Sequence, residues 1–166
     1  MKVGQLLSDT GEEYFYIMHL SYEGRERRRL WQYAQRDRVI GLSHHAVNGD
    51  WVEVRELVMG SLVPIWVRQF DMFCCEIGRD DIILILCGWD SLLGIAQTAE
   101  THHRYDEQLV TGHDPFFDHV RRVCWIREYE YDAGIPVYPP IEGFNNTLSK
   151  VRPHTRRWAI LTNIDV

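Results

Sequence analysis

The chain has 166 residues and a formal net charge of −6, with 45% hydrophobic and 25% charged positions. That length can bury a core without disulfide or metal staples, so one domain over 1–166 is expected, and no window approaches the ~20 unbroken apolar residues of a membrane span. The acidic balance taken alone argues against a general nucleic-acid binder, and "MKVGQLLSDTGEEYF", which has no apolar leader region, predicts a cytoplasmic protein.

Residues 13–20, "EYFYIMHL", are rich in aromatic and β-branched side chains and predict a first strand, closed by the polar "SYEG". In "RERRRLWQYAQRD", Leu30, Trp31 and Ala34 fall on one stripe at helical spacing while Arg25, Arg28, Arg29 and Arg36 face outward. "VIGLSHHAV" reads as a short strand, and Asp50 of "NGD" as the N-cap of a helix in "WVEVRELVMG". A second amphipathic helix in "VPIWVRQFDMFCCEIG" stops at Gly78. Ile82 to Leu86 runs without a polar interruption, as a strand covered on both faces does, and its partner starts near Leu92 and extends toward His102. Between them stands Gly88-Trp89-Asp90-Ser91, three turn formers and a tryptophan. A tight turn sits in solvent, so the Trp89 ring either folds back onto the body or presents itself to something flat.

Residues 119–131, "HVRRVCWIREYEY", predict one more long strand; "DAGIPVYPPIEGFNN" is loop-like with three prolines, and "RRWAILTNI" adds a closing strand or helix. The sum is an α+β domain in which a curved, mainly antiparallel sheet or open β-barrel is flanked by helices. Cys74, Cys75, Cys87 and Cys124 have no metal-knuckle spacing and read as reduced, mostly buried thiols. Of 18 basic residues 16 are arginine, clustered in "GRERRR", "RDR", "RR" (121 and 122) and "RPHTRR". Arginine favours planar bidentate contacts to phosphate, so these clusters can make a local basic face on an acidic body, or simply solvated helix faces.

The order of pieces, with "VIGLSHHAVNGDW", "GRDDIILILCGWDSLLGIAQ", "RYDE" and "HVRRVCWI", resembles the EVE, YTH and wider PUA-like group of domains. Within that group it looks closest to reader domains at the N-terminus of McrB-type modification-dependent restriction systems. The likeness spans about residues 13–131, leaving 132–166 as a C-terminal extension. It implies a PUA-like fold and a non-catalytic module, without cofactor or metal, that flips one modified, most readily methylated, base into an aromatic pocket. It further implies nucleic acid as partner, DNA ahead of RNA, no membrane, and a monomeric isolated domain whose larger parent would oligomerise through another module. No "GxxxxGK[ST]" phosphate loop occurs, so this chain corresponds to the reader part alone.

An extruded base needs aromatic walls and a few directed polar groups. Trp31 and Trp89 are the candidate walls, with Trp51 or Tyr105 as a third. His19, Ser21, Ser43, His44 and Asp106 are the candidates for reading the polar edge. Phosphate contacts are expected from Arg25, Arg27, Arg28 and Arg29, with Arg121 or Arg122 in addition. Three rival readings stand beside this one: a PUA-type RNA-binding domain recognising shape and 2′-hydroxyls, a protein-interaction adaptor with exposed aromatics, and a metal enzyme. For the last, His102, His103, His113 and His119 interleave with Asp106, Asp114 and Asp118, yet their spacing matches no known ligand pattern.

Overall fold

A computed structural model describes residues 1–11, 13–20, 24–105, 117–141 and 147–166. In chain order the elements are α1 (Val3–Thr10), β1 (Phe15–His19), α2 (Gly24–Asp37), β2 (Val39–Leu42), α3 (Trp51–Val58), α4 (Pro64–Asp71), β3 (Ile82–Cys87) and β4 (Ser91–Thr98). They continue with β5 (Arg104–Tyr105), β6 (His119–Glu128), β7 (Ile135–Pro136), β8 (Leu148–Val151) and α5 (Arg156–Thr162). The sheet follows the path β2-β6-β4-β3-β1-β8, with β5 added on β6 and β7 on β4. Only the β1–β3 pair along that path is parallel. Register shifts interrupt β4 against β3 at Ile85/Leu86 and against β6 at Ile95/Ala96. Such bulges bend a strand and raise its twist, which suits the strongly curled half-barrel seen here.

Strand alternation sorts the apolar residues into two cores. Tyr16, Met18, Ile83 and Ile85 face Trp31 of α2, Trp51 of α3 and Phe70 of α4. Phe15, Ile17, Ile82, Leu84 and Leu86 face Leu6 and Leu7 of α1 and Leu161 of α5. The uninterrupted run Ile82–Leu86 is thus covered on both sides, as its sequence predicts. Each such side chain contributes about 1.5–3 kcal/mol by leaving water. The cap expected at Asp50 is also formed: its side chain accepts from the Val52 N–H at 2.9 Å and starts α3.

The structure departs from the sequence expectations in four places. Val3, Leu6 and Leu7, spaced i, i+3, i+4, bury one face of α1, a helix that ends at Gly11 with φ +75°. The last segment is a helix, α5, one of the two forms expected, but Leu148–Val151 ahead of it, assigned to no element from the sequence, form β8 and pair with β1 (Phe15 opposite Val151, Met18 opposite Leu148). Two strands after residue 131, β7 and β8, thus pair within the sheet. Third, β4 stops at Thr98, whose hydroxyl donates to the Gly78 carbonyl at 2.6 Å and whose backbone closes on Asp80 and Asp81, short of the predicted His102. Fourth, of the four free cysteines only Cys74 is buried, while Cys75 and Cys124 are exposed. The two chain ends meet: Lys2 bridges Asp165, and the Val166 N–H donates to the Met1 carbonyl at 2.8 Å. Among the described residues no helix is long and apolar enough to cross a membrane.

Candidate nucleic-acid interface

The β3–β4 turn holds its tryptophan outward. Gly88 adopts φ +64°, which a side chain would strain. All three turn carbonyls are occupied: Gly88 accepts from His19 Nδ1 at 2.9 Å, Trp89 from the Ile141 N–H at 2.8 Å, and Asp90 from the Val137 N–H at 2.7 Å. The Trp89 ring is 38% exposed and rests at 5.1 Å, centroid to centroid, on the His19 ring. Burial, aided by the charges of Arg157 and Arg27, pushes the His19 pKa down to about 4, so at neutral pH this ring is an uncharged support. Beside the turn, Tyr138 follows Val137 directly and is 88% exposed. The segment that clamps the turn therefore carries a second outward aromatic. Sequence reasoning missed Tyr138, whose one signal was an aromatic set among the prolines of "VYPP".

Three of the predicted site residues are core. Trp31 is fully buried, donates from Nε1 to the Tyr129 carbonyl at 2.8 Å and meets Trp125 edge-on at 5.1 Å. A Cβ on Gly94 would come within 2.8 Å of the Trp31 ring, so β4 passes close beneath it. Trp51 is equally buried, stacked on Phe70 at 5.0 Å with Nε1 donating to Asp71 at 2.9 Å. Asp71 also takes a two-pronged contact from Arg55, which with the Trp51 bond holds its carboxyl below the usual range. Neither ring can wall a surface pocket. Arg121, predicted to touch phosphate, has no exposed surface: it donates to the carbonyls of Phe73, Cys74, Glu100 and Thr101. It ties the turn after α4 to the segment after β4 by satisfying carbonyls of both, a structural task.

The remaining candidates fall at opposite ends of the strands. His19 and Trp89 sit where β1 and β3 end. Ser43 and His44 follow β2, whose last residue Leu42 pairs with His119 at the far end of β6, where Tyr105 pairs too. There Ser43, His44 and Tyr105 are half-buried. The His44 ring stacks on His45 at 4.4 Å and leans on Trp66 at 4.8 Å, and burial lowers its pKa. Tyr105 lies 5.0 Å from His119, whose nitrogens face Asp118 at 2.9 Å and the Gly49 carbonyl at 3.1 Å, while His103 faces Asp50 at 3.4 Å. Ser21 and Asp106 lie outside the described residues, as do His113 and Asp114 of the metal reading. Among the described residues no three His, Cys, Asp or Glu side chains converge as metal ligands.

The α2 arginines are variously engaged. Arg28 grips Asp132 with both Nη atoms, at 2.5 and 2.6 Å, over the Tyr131 ring; Arg29 contacts Glu26 at 3.5 Å; Arg27 reaches Cys87 Sγ at 3.6 Å, two residues from Trp89. The Arg25 side chain is outside the described atoms, and exposed Arg122 lies 3.8 Å from Glu100. Among the described α2 arginines, Arg27 is thus the one in contact with a strand that leads into the Trp89 turn. No protein-family model, curated protein or solved structure matches the chain, so the likeness to EVE and YTH domains stays one of short motifs.

Proposed function

We propose that this protein is a nucleic-acid reader without chemistry of its own, which holds one base against Trp89. The observation that supports it is an outward tryptophan on a turn whose three carbonyls are all bonded. A surface fixed in advance loses little freedom on binding, and a flat, sequence-tolerant partner is what such a ring suits. Tyr138 offers a second face and Arg27 a cation near the turn. A base reaches such a place unpaired or flipped from its duplex. A methyl group on it adds about 0.8 kcal/mol if one CH₂ equivalent leaves water, a few-fold preference. Following the resemblance, the reader targets a modification-dependent restriction system to DNA carrying a methylated base, N6-methyladenine ahead of 5-methylcytosine.

The test is a binding panel of short single-stranded and duplex DNA and RNA, each unmodified, N6-methylated at adenine, or 5-methylated at cytosine. Methylated DNA should bind best, and W89A should weaken it. Equal affinity for modified and unmodified probes with tightest binding to RNA would replace this reading by a PUA-type RNA reader; an affinity independent of salt would favour a peptide adaptor.

A further inference from the structure

The basic run "RPHTRR", whose Arg157 also acts on His19 beneath Trp89, borders two adjoining clefts. One, of about 420 Å³, lies between α4 and β8 and brings Arg68, Lys150, Arg152 and Arg157 together against the single carboxylate of Glu76. The other, of about 330 Å³, shares Lys150, Arg152 and Arg157 and adds Arg156 at the start of α5. Several surface arginines elsewhere are neutralised locally, Arg28 by Asp132, Arg36 by Asp37 and Arg55 by Asp71. Among the described residues Arg68, Lys150 and Arg152 form no ion pair. The Lys150 ammonium is instead held over the Tyr14 ring, 3.6 Å from its centroid. On a chain of net charge −6, Arg68, Lys150 and Arg152 thus make a local concentration of positive charge, unpaired among the described residues, that an external anion can neutralise.

Two features decide what kind of anion. The clefts share three cations, so they form one trough rather than a closed pocket, and each is of the size that holds a nucleotide-scale group. The trough also starts beside the Trp89 surface. The His19 N–H donates to the Thr147 carbonyl at 2.7 Å, directly before β8, and from there β8 leads to Lys150 and Arg152. We infer that the trough between α4, β8 and α5 is a track for the phosphodiester backbone of the strand whose base is held at Trp89. The inference rests on the nucleic-acid reading above and places the phosphate contacts at Arg68, Lys150, Arg152 and Arg157, away from α2.

The experiment uses the full chain with R68E, R152E, W89A and, as a control of equal charge change on a remote exposed arginine, R79E. A fluorescein-labelled twelve-nucleotide DNA strand is titrated by anisotropy at several salt concentrations, with thermal melts to confirm that each variant folds. R68E and R152E should each weaken binding by about tenfold and lower the salt slope by about 0.7 for each phosphate no longer neutralised, beyond the effect of R79E. W89A should weaken binding with the salt slope unchanged. R68Q and R152Q, milder changes, should move the slope in the same direction. Trough variants indistinguishable from R79E overturn the track, whether or not W89A loses binding. Loss in the trough variants with none in W89A keeps the track and removes the base site. Adenosine monophosphate displacing the strand at equal affinity, or anionic vesicles (phosphatidylserine with phosphatidylcholine) binding where the strand does not, would also overturn it.

Discussion

Replacing His19 by asparagine should remove one step from the acid denaturation of this protein. In the fold the ring is pressed between the Gly88 carbonyl and Trp89, and burial takes its pKa from 6.5 to about 4. Between those values the unfolded chain binds a proton at this position and the folded chain does not. Stability therefore rises with pH across the window: the His19 contribution is fully present above about 6.5 and is lost as pH falls to about 4. At about 1.4 kcal/mol per pH unit, the window corresponds to on the order of 3 kcal/mol. Asparagine can still donate to the Gly88 carbonyl but does not titrate. Urea unfolding of wild type and H19N at pH 7 and at closely spaced values down to about 4 measures the difference directly, because the carboxylates that also titrate are common to both. The stability gap between the two proteins should change by about 3 kcal/mol against wild type on acidification. Parallel curves would refute the idea that this histidine is held neutral beneath Trp89.

W89A should leave the urea midpoint nearly unchanged while costing about 1–3 kcal/mol in affinity for the best nucleic-acid probe, and Y138A should lower affinity by a smaller factor, both read by anisotropy. W31A should do the reverse, costing about 3–5 kcal/mol of stability in urea titrations with little effect on binding by the protein that remains folded. A W31A protein of normal stability that had lost affinity would restore Trp31 as a pocket wall. R121L deprives four backbone carbonyls of their donor at about 1–3 kcal/mol each, a loss comparable to total stability, so it should accumulate as insoluble protein where exposed R122L stays soluble.

Periodicity and capping made much of the fold legible. The stripe of Leu30, Trp31 and Ala34, the Asp50 cap, and the unbroken Ile82–Leu86 run are local signals, and each produced the element it predicts. α1 carried such a signal too, in Val3, Leu6 and Leu7 before Gly11, but it is only eight residues long. β8 was hidden because four residues flanked by polar and proline positions have no distinguishing period, and only pairing with β1, far away in sequence, makes them a strand. The candidate site was less legible for the same reason. Trp89 could be read from its turn, whereas Trp31 and Trp51 look alike in sequence whether they face a ligand or a core. Arg121 belongs to a doublet with Arg122, and its burial depends on carbonyls of Phe73, Cys74, Glu100 and Thr101 that no local pattern places beside it. The trough was missed because Arg68 and Arg152 meet only through the packing of α4 on β8.

The pairing of β1 with β8 and of α1 with α5 governs the order in which the fold can assemble during synthesis. A nascent chain emerging from the ribosome presents α1 and β1 before their partners, because β1 lies between β3 and β8, and α1 lies against α5. Until residue 151 is free, one edge of β1 exposes unpaired backbone and the apolar face of α1 has no α5 to cover it. Completion of the sheet thus waits for β8, and pairing across so long a stretch of chain is intrinsically slow. A ribosome stalled shortly before β8 would hold out an unpaired strand edge open to wrong pairing with other chains.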